Sequence, residues 1–170
     1  MFNNKTILIT GGTGSFGKSF VKKLLDKYNF KKIIIFSRDE LKQFELKESL
    51  SNHKRAKTLR FFLGDIRDKS RISTALINVD YVCHCAALKQ IEAAEYNSQE
   101  CVKTNIFGTQ NVIEAAIDNN VKKVITLSTD KAVDPINLYG ATKLAADKLT
   151  ISSNLVSVHK ETIFSVVRYG

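Results

Sequence analysis

The chain has 170 residues, 44% hydrophobic and 25% charged, a size and balance that suit one folded domain with a sizeable core. No apolar run approaches the roughly 18 residues of a membrane span, and Met1–Lys5 lacks the basic-then-apolar order of a signal peptide, so a cytoplasmic location with no membrane partner is expected. The formal charge of +9 is spread over scattered lysines such as Lys22, Lys23, Lys27, Lys122 and Lys123, which reads as a solvated face without a nucleic-acid partner, although an anionic small substrate suits it equally.

Lys5–Thr10 is a short buried strand, after which Phe16, Phe20, Val21, Leu24 and Leu25 recur at helical spacing. A second strand at Ile33–Phe36 leads to a helix over Asp39–Leu50, and a third at Leu59–Leu63 to a short helix over Ser70–Ile77. Asp80–Cys85 is a fourth strand and Ser98–Asn119 a long helix; Val124–Leu127, Leu138–Ser152 and Thr162–Val167 add a strand, a helix and a last strand. Continuously apolar strands alternating with helices predict an α/β fold, a doubly wound parallel sheet of six strands (Rossmann) covered on both faces. The last strand ends at Arg168-Tyr169-Gly170 and leaves an apolar edge bare, so the chain reads as the front part of a longer protein. Cys83 and Cys85 point to one side of their strand and lack a second ligand pair, so buried thiols and no metal site are expected. His53 and His159 read as surface residues.

Between the first strand and first helix lies Thr10-Gly11-Gly12-Thr13-Gly14-Ser15-Phe16-Gly17. Glycine permits the tight turn, the missing side chains let backbone approach a pyrophosphate, and the following helix aims its free N–H groups at it. The second strand ends in Ser37-Arg38 with no acidic residue at its tip; Arg38, followed by Lys42, suits a ribose 2′-phosphate and predicts NADP. Two alternatives stay open: Ser37 and Glu40 also fit a capping box, and Asp39 could serve the ribose of NAD. Asp65 and Ile66 after the third strand are candidates for the adenine, and Ala86, Ala87 and Lys89 after the fourth lie where the chain must pass the dinucleotide.

Tyr139 and Lys143 are four apart on one helix and share a face. An ammonium beside a phenol favours the phenolate, which makes Tyr139 a candidate base, and the Ser128-Thr129 hydroxyls at the end of the fifth strand can share a substrate oxygen with it.

The glycine turn, the Tyr-x-x-x-Lys pair and Thr104-Asn105 resemble the extended short-chain dehydrogenases/reductases. Ser37-Arg38-Asp39-Glu40-Leu41-Lys42 and the whole of Leu127–Lys143 are similar, more narrowly, to the inverting UDP-N-acetylglucosamine 4,6-dehydratases. The resemblance implies UDP-N-acetylglucosamine as substrate, a tightly held NADP, a homo-oligomer, and five catalytic residues, Thr129, Asp130, Lys131, Tyr139 and Lys143. It gives Tyr139 the C4 hydroxyl proton, Lys131 the C5 proton and Asp130 the departing C6 hydroxyl, with Thr129 on the C4 oxygen and Lys89 near substrate or nicotinamide. It also assigns Asn105 to holding the lysine, with a plain helix-interface amide as the alternative, and Arg168 to the rim of the site. Residues 1–170 then form the NADP-binding domain with both motifs, without the family's C-terminal sugar-binding lobe, so cofactor affinity with little or no dehydratase activity is expected. A UDP-sugar C4 epimerase shares the fold and the C4 oxidation but needs no Asp130-Lys131 pair; a non-catalytic dinucleotide-binding module would need neither Tyr139 nor Lys143.

Overall fold

A computed structural model describes residues 2–157 and 161–170; His159 lies outside them. Six parallel strands, β1 (Thr6–Thr10), β2 (Lys32–Ser37), β3 (Leu59–Leu63), β4 (Tyr81–His84), β5 (Lys123–Leu127) and β6 (Ile163–Val167), lie in the order β3-β2-β1-β4-β5-β6. The winding direction reverses between β1 and β4, and ligands of such sheets bind at the carboxyl ends of the strands beside that reversal.

Helices α1 (Ser15–Lys27) and α2 (Glu40–Ser49) cover one face of the sheet, where Val21, Leu24, Leu25 and Leu46 meet Ile7, Ile9, Ile33 and Ile35. On the other face, α3 (Lys69–Ala75) and the long helical run after β4 bring Ile72, Val112 and Ala116 onto Leu8, Ile34, Val82 and Val124. This division follows from the right-handed crossover rule, since the chain moves outward from β1 in opposite directions in the two halves. The expected two-sided burial holds for β1 and β2 but not for β5 and β6, whose Ile125, Ile163 and Val167 are exposed. On that face the core under α1 and α2 extends to Cys83 and Leu127 and does not include Ile125, Ile163 or Val167.

Two helical segments depart from the sequence reading. A short helix, α4 (Ile91–Tyr96), precedes the long one; Glu92, Glu95 and polar neighbours left it without an apolar period. The long run itself is α5 (Ser98–Val102), a π turn (Lys103–Phe107) and α6 (Gly108–Asp118). The widened turn is where Asn105 leaves the helix pattern: its amide accepts from Leu88 N at 2.8 Å and donates to Leu88 O at 2.9 Å and Thr142 Oγ1 at 3.1 Å. Asn105 therefore ties the loop after β4 to α7 (Leu138–Val156) as a helix-interface amide, and its partner is Thr142, not Lys143.

A buried polar chain crosses the same region. Thr10 Oγ1 accepts the N–H groups of Cys85 at 3.1 Å and Ala86 at 3.2 Å, so its own proton goes to His84 Nδ1 at 2.7 Å. His84 Nε2–H then donates to Thr109 Oγ1 at 3.0 Å, whose proton goes to Asn105 O at 2.7 Å. Each hydroxyl proton has one destination, which fixes the neutral Nε2–H tautomer. Burial, with the charge of Lys143 second, pushes the His84 imidazole from 6.5 down to about 3.

Because the unfolded chain takes up this proton first, His84 stabilises the fold above pH 6.5, and that stability is lost as pH falls toward about 3. Between about pH 6 and pH 5, before the carboxylates titrate, chemical denaturation should show stability dropping by about 1.4 kcal/mol per pH unit. His84→Gln should flatten that slope; an unchanged slope would place the pH dependence elsewhere.

Candidate functional site

The turn after β1 is shaped by contact. Gly11 has φ +64°, and a Cβ there would sit 2.8 Å from Ala86 N, so a side chain is excluded both by conformation and by the crossing strand end. Gly11 N donates to Phe36 O and Gly14 N to Gly11 O, both at 2.9 Å. A Cβ on Gly17 would lie 2.6 Å from Gly11 O, which is why α1 can start pressed against the turn. Gly14 caps α1 without a side-chain bond, leaving the first-turn N–H groups and the positive helix end open to the space in front.

That space is a cleft of about 560 Å³ along the carboxyl ends of the strands. Its walls include every cofactor candidate read from Gly11 to Lys89: Gly11, Thr13, Gly14, Ser15, Phe16, Gly17, Ser37, Arg38, Lys42, Asp65, Ile66, Ala86, Ala87 and Lys89. A lining of small residues, one helix N-terminus and cations at one end fits the two phosphates and charged ribose edge of a dinucleotide. At the β2 end, Asp39 and not Ser37 caps α2, accepting Lys42 N at 2.9 Å and pairing with Lys42 Nζ at 3.1 Å. The capping bond, then the Lys42 ammonium, hold the Asp39 carboxyl below its ordinary value. Ser37 instead receives Gln43 Nε2 at 3.0 Å, a buried amide that also donates to Ser37 O and Phe62 O and so fixes the ends of β2 and β3. Arg38, half-exposed, leans toward Asp65 at 3.4 Å.

The candidate catalytic residues lie beyond β5 and are not part of the cleft wall itself. Thr129 is buried and donates to Asp130 Oδ1 at 2.9 Å, which Lys131 also approaches through its N–H at 2.8 Å and Nζ at 3.1 Å. The Thr129 hydroxyl, then Lys131, hold the exposed Asp130 carboxyl below its ordinary value. Asp130 N donates to Tyr169 O at 3.1 Å, and Tyr169 lines the cleft, so this turn adjoins its far end.

Helix α7 is brought against the turn by Gly140, where a Cβ would meet Lys131 O at 2.2 Å. Asn137 caps α7 through Gly140 N at 2.8 Å, and Glu95 of α4 accepts Leu138 N at 2.8 Å. Tyr139 thereby starts the helix beside the Asp130–Lys131 turn, while Lys143, one turn on, is buried and donates to Leu127 O at 2.6 Å. Burial pushes the Lys143 ammonium down; Asp147 and Cys85 oppose that shift. Arg168 pairs with Asp147 Oδ2 of α7 at 2.8 Å and is not among the residues that line the cleft.

Sequence reasoning missed several cleft residues. Lys18, Gly64, Cys85, Thr104 and Tyr169 all line it, as does Asp39, which the sequence offered only for the ribose of NAD. Tyr169 was within reach of the rule that strand carboxyl ends face the ligand, since β6 stops at Val167; Thr104 needed knowledge of the π turn. Cys83 and Cys85 share one side as expected, with sulfurs 3.5 Å apart, but only Cys83 is fully buried. His53 meets Asp26 at 3.1 Å at the surface end of α1. No helix among the described residues is long and apolar enough to cross a membrane.

Comparison with known proteins puts this geometry in context. The chain is 58% identical over all 170 residues to a Campylobacter jejuni UDP-N-acetylglucosamine 4,6-dehydratase (inverting) and covers 50% of that protein. It is 47% identical to a Rickettsia bellii UDP-glucose 4-epimerase, again covering all of this chain and 50% of the relative. The solved structure of Pen from Bacillus thuringiensis superimposes with a TM-score of 0.95 at 45% identity, over 100% of this chain and 51% of that one. The chain thus spans about half the length of the curated relatives it matches. The family model of the polysaccharide biosynthesis proteins matches residues 7–170, and the chain is a member of that family.

Proposed function

We propose that the chain is the cofactor-binding and catalytic domain of an NADP-dependent dehydratase that converts UDP-N-acetylglucosamine to a UDP-4-keto-6-deoxy-hexosamine with inversion at C5, working as a homo-oligomer. The observation that carries this reading is the Thr129-Asp130-Lys131 turn, bonded to the cleft-lining Tyr169 on one side and packed under the start of the Tyr139 helix on the other. The similarity to a Campylobacter dehydratase over the whole chain supports it.

Cofactor residues would be the Gly11–Gly17 turn at the pyrophosphate, Arg38 and Lys42 at a 2′-phosphate, Asp65 and Ile66 at adenine, and Lys143 and Tyr139 at the nicotinamide end. Bound NADP supplies the chemistry the side chains lack, accepting the C4 hydride and giving it back at C6. Tyr139 takes the C4 hydroxyl proton, with Thr129 on the same oxygen. The 4-keto group then acidifies C5–H.

Lys131 and Asp130 form an acid–base pair with a closed proton account. The two side chains form an ion pair at 3.1 Å, and the Thr129 hydroxyl and Lys131 hold the Asp130 carboxyl below its ordinary value. One transfer along the 3.1 Å bond makes an amine base and a carboxylic acid together. A substrate that covers the pair favours this neutral form, because desolvation penalises both charges. Elimination places the C5 proton on Lys131 and the Asp130 proton on the leaving hydroxyl, which restores the ion pair. The return of hydride to C6 would then be matched by a solvent proton taken at C5 on the face opposite Lys131, and Tyr139 releases the C4 hydroxyl proton to solvent.

A C4 epimerase is the second reading, supported by the Rickettsia relatives; it leaves the Asp130–Lys131 pair without a task.

In deuterium oxide, the chain by itself should turn over UDP-N-acetylglucosamine little or not at all, and the 4-keto-6-deoxy product that forms over hours should be deuterated at C5, read by NMR. Lys131→Ala should abolish both the product and the exchange at C5, and a C4 epimer as the sole product would favour the second reading. Arg38→Ala should weaken NADPH binding by about tenfold or more and leave NADH within about twofold, since a lost charge-assisted contact to phosphate is worth about 1.5–3 kcal/mol. Equal losses by calorimetry would refute the 2′-phosphate assignment.

A further inference from the structure

Asp65 presents a problem for NADP binding that the structure resolves. Arg38, the residue assigned to the 2′-phosphate, faces an acidic side chain across the cleft. A carboxylate so placed competes for the guanidinium and repels a phosphate. Yet the Arg38–Asp65 contact is a single one at 3.4 Å, longer than the roughly 2.7–3.2 Å of a good N–H···O bond.

The stronger partner comes from behind. Arg67 Nε and Nη2 donate to Asp65 Oδ2 at 2.8 and 2.6 Å, and Arg67 N donates to Oδ1 at 2.9 Å. Its remaining Nη1 is tethered by Glu100 of α5, which also pairs with Lys103 at 3.0 Å. The backbone of this turn is pinned by Asn111, which donates to Ile66 O and Arg67 O, both at 3.0 Å. Arg67 is not on the cleft wall.

We propose that Arg67 is a positioning residue for cofactor selection, holding Asp65 from behind so that Arg38 stays free for the phosphate on the adenosine ribose. The inference rests on the NADP reading above. Arg67 places two guanidinium N–H groups on Oδ2 and its backbone N–H on Oδ1, so Arg38 meets only Oδ2, an oxygen that already accepts two shorter bonds. Burial pushes the Asp65 carboxyl up, but the Arg67 bonds, ahead of the charge of Arg38, hold it below its ordinary value. Without Arg67, Asp65 keeps its charge, and its nearest remaining cation is Arg38. NADPH must then break that pair, while NADH has no need of Arg38.

The test measures NADPH and NADH affinity by calorimetry on the 170-residue chain and its variants, with circular dichroism to confirm folding. Arg67→Ala should lower the NADPH-to-NADH affinity ratio about tenfold, and adding Asp65→Asn should restore it because no carboxylate is left to capture Arg38. Arg67→Lys, which keeps charge but not the fork, should lower the ratio by a smaller factor, and it carries the test if Arg67→Ala does not fold. If Arg38→Ala collapses the ratio but the Arg67 variants do not, or if they weaken both cofactors equally, Arg67 only braces the loop and the proposal is overturned. If Arg38→Ala leaves the ratio unchanged, the NADP reading has failed and the proposal falls with it.

Discussion

The ligand side of this protein depends on one close approach, the packing of the Gly11 turn against the backbone of Cys85 and Ala86. The gap is too narrow for a Cβ, and the Thr10 hydroxyl closes it by accepting two N–H groups from the facing segment. Those donors could not be left unpaired at low cost, since a buried orphan polar group forfeits about 1–3 kcal/mol. Through His84 and Thr109 the same hydroxyl reaches the π turn, and through Asn105 that turn reaches the loop at Leu88 and the α7 residue Thr142. The Gly11 turn and α7 are thus set relative to one another by a continuous hydrogen-bond path.

Charge is arranged differently at the two ends of the cleft. At the β2–β3 end acidic and basic groups are paired in the open, Asp39 with Lys42 and Asp65 with Arg67. Beyond β5 a lysine is buried instead. Lys143 has a carbonyl for its proton and Asp147 one turn away, and burial lowers its affinity for that proton. Groups perturbed in this way by burial cluster at functional sites.

Much of the fold was legible because it rests on local periodicity. All six strands were found within a residue or two, and the glycine turn was readable because glycines at 11, 14 and 17 between a strand and a helix leave few other conformations. What escaped was set by contacts distant in sequence. Helix α4 has no apolar stripe of its own, and the π turn inside Ser98–Asp118 is invisible to a helical period because only one residue is added to one turn. The cap of α2 shifted from Ser37 to Asp39 because Gln43 claimed Ser37 from the side of the sheet.

The sequence by itself determined the parallel doubly wound class, the glycine turn between β1 and α1 and the residue types gathered at the carboxyl ends of the strands. These follow from steric rules and periodicities that act within a few residues. Only the tertiary structure decided that Asn105 holds Thr142 and not Lys143, that Arg168 turns back to Asp147, and that Asp65 belongs to Arg67 before Arg38. A polar side chain has several candidate partners in sequence, and distance and burial in the folded chain select among them.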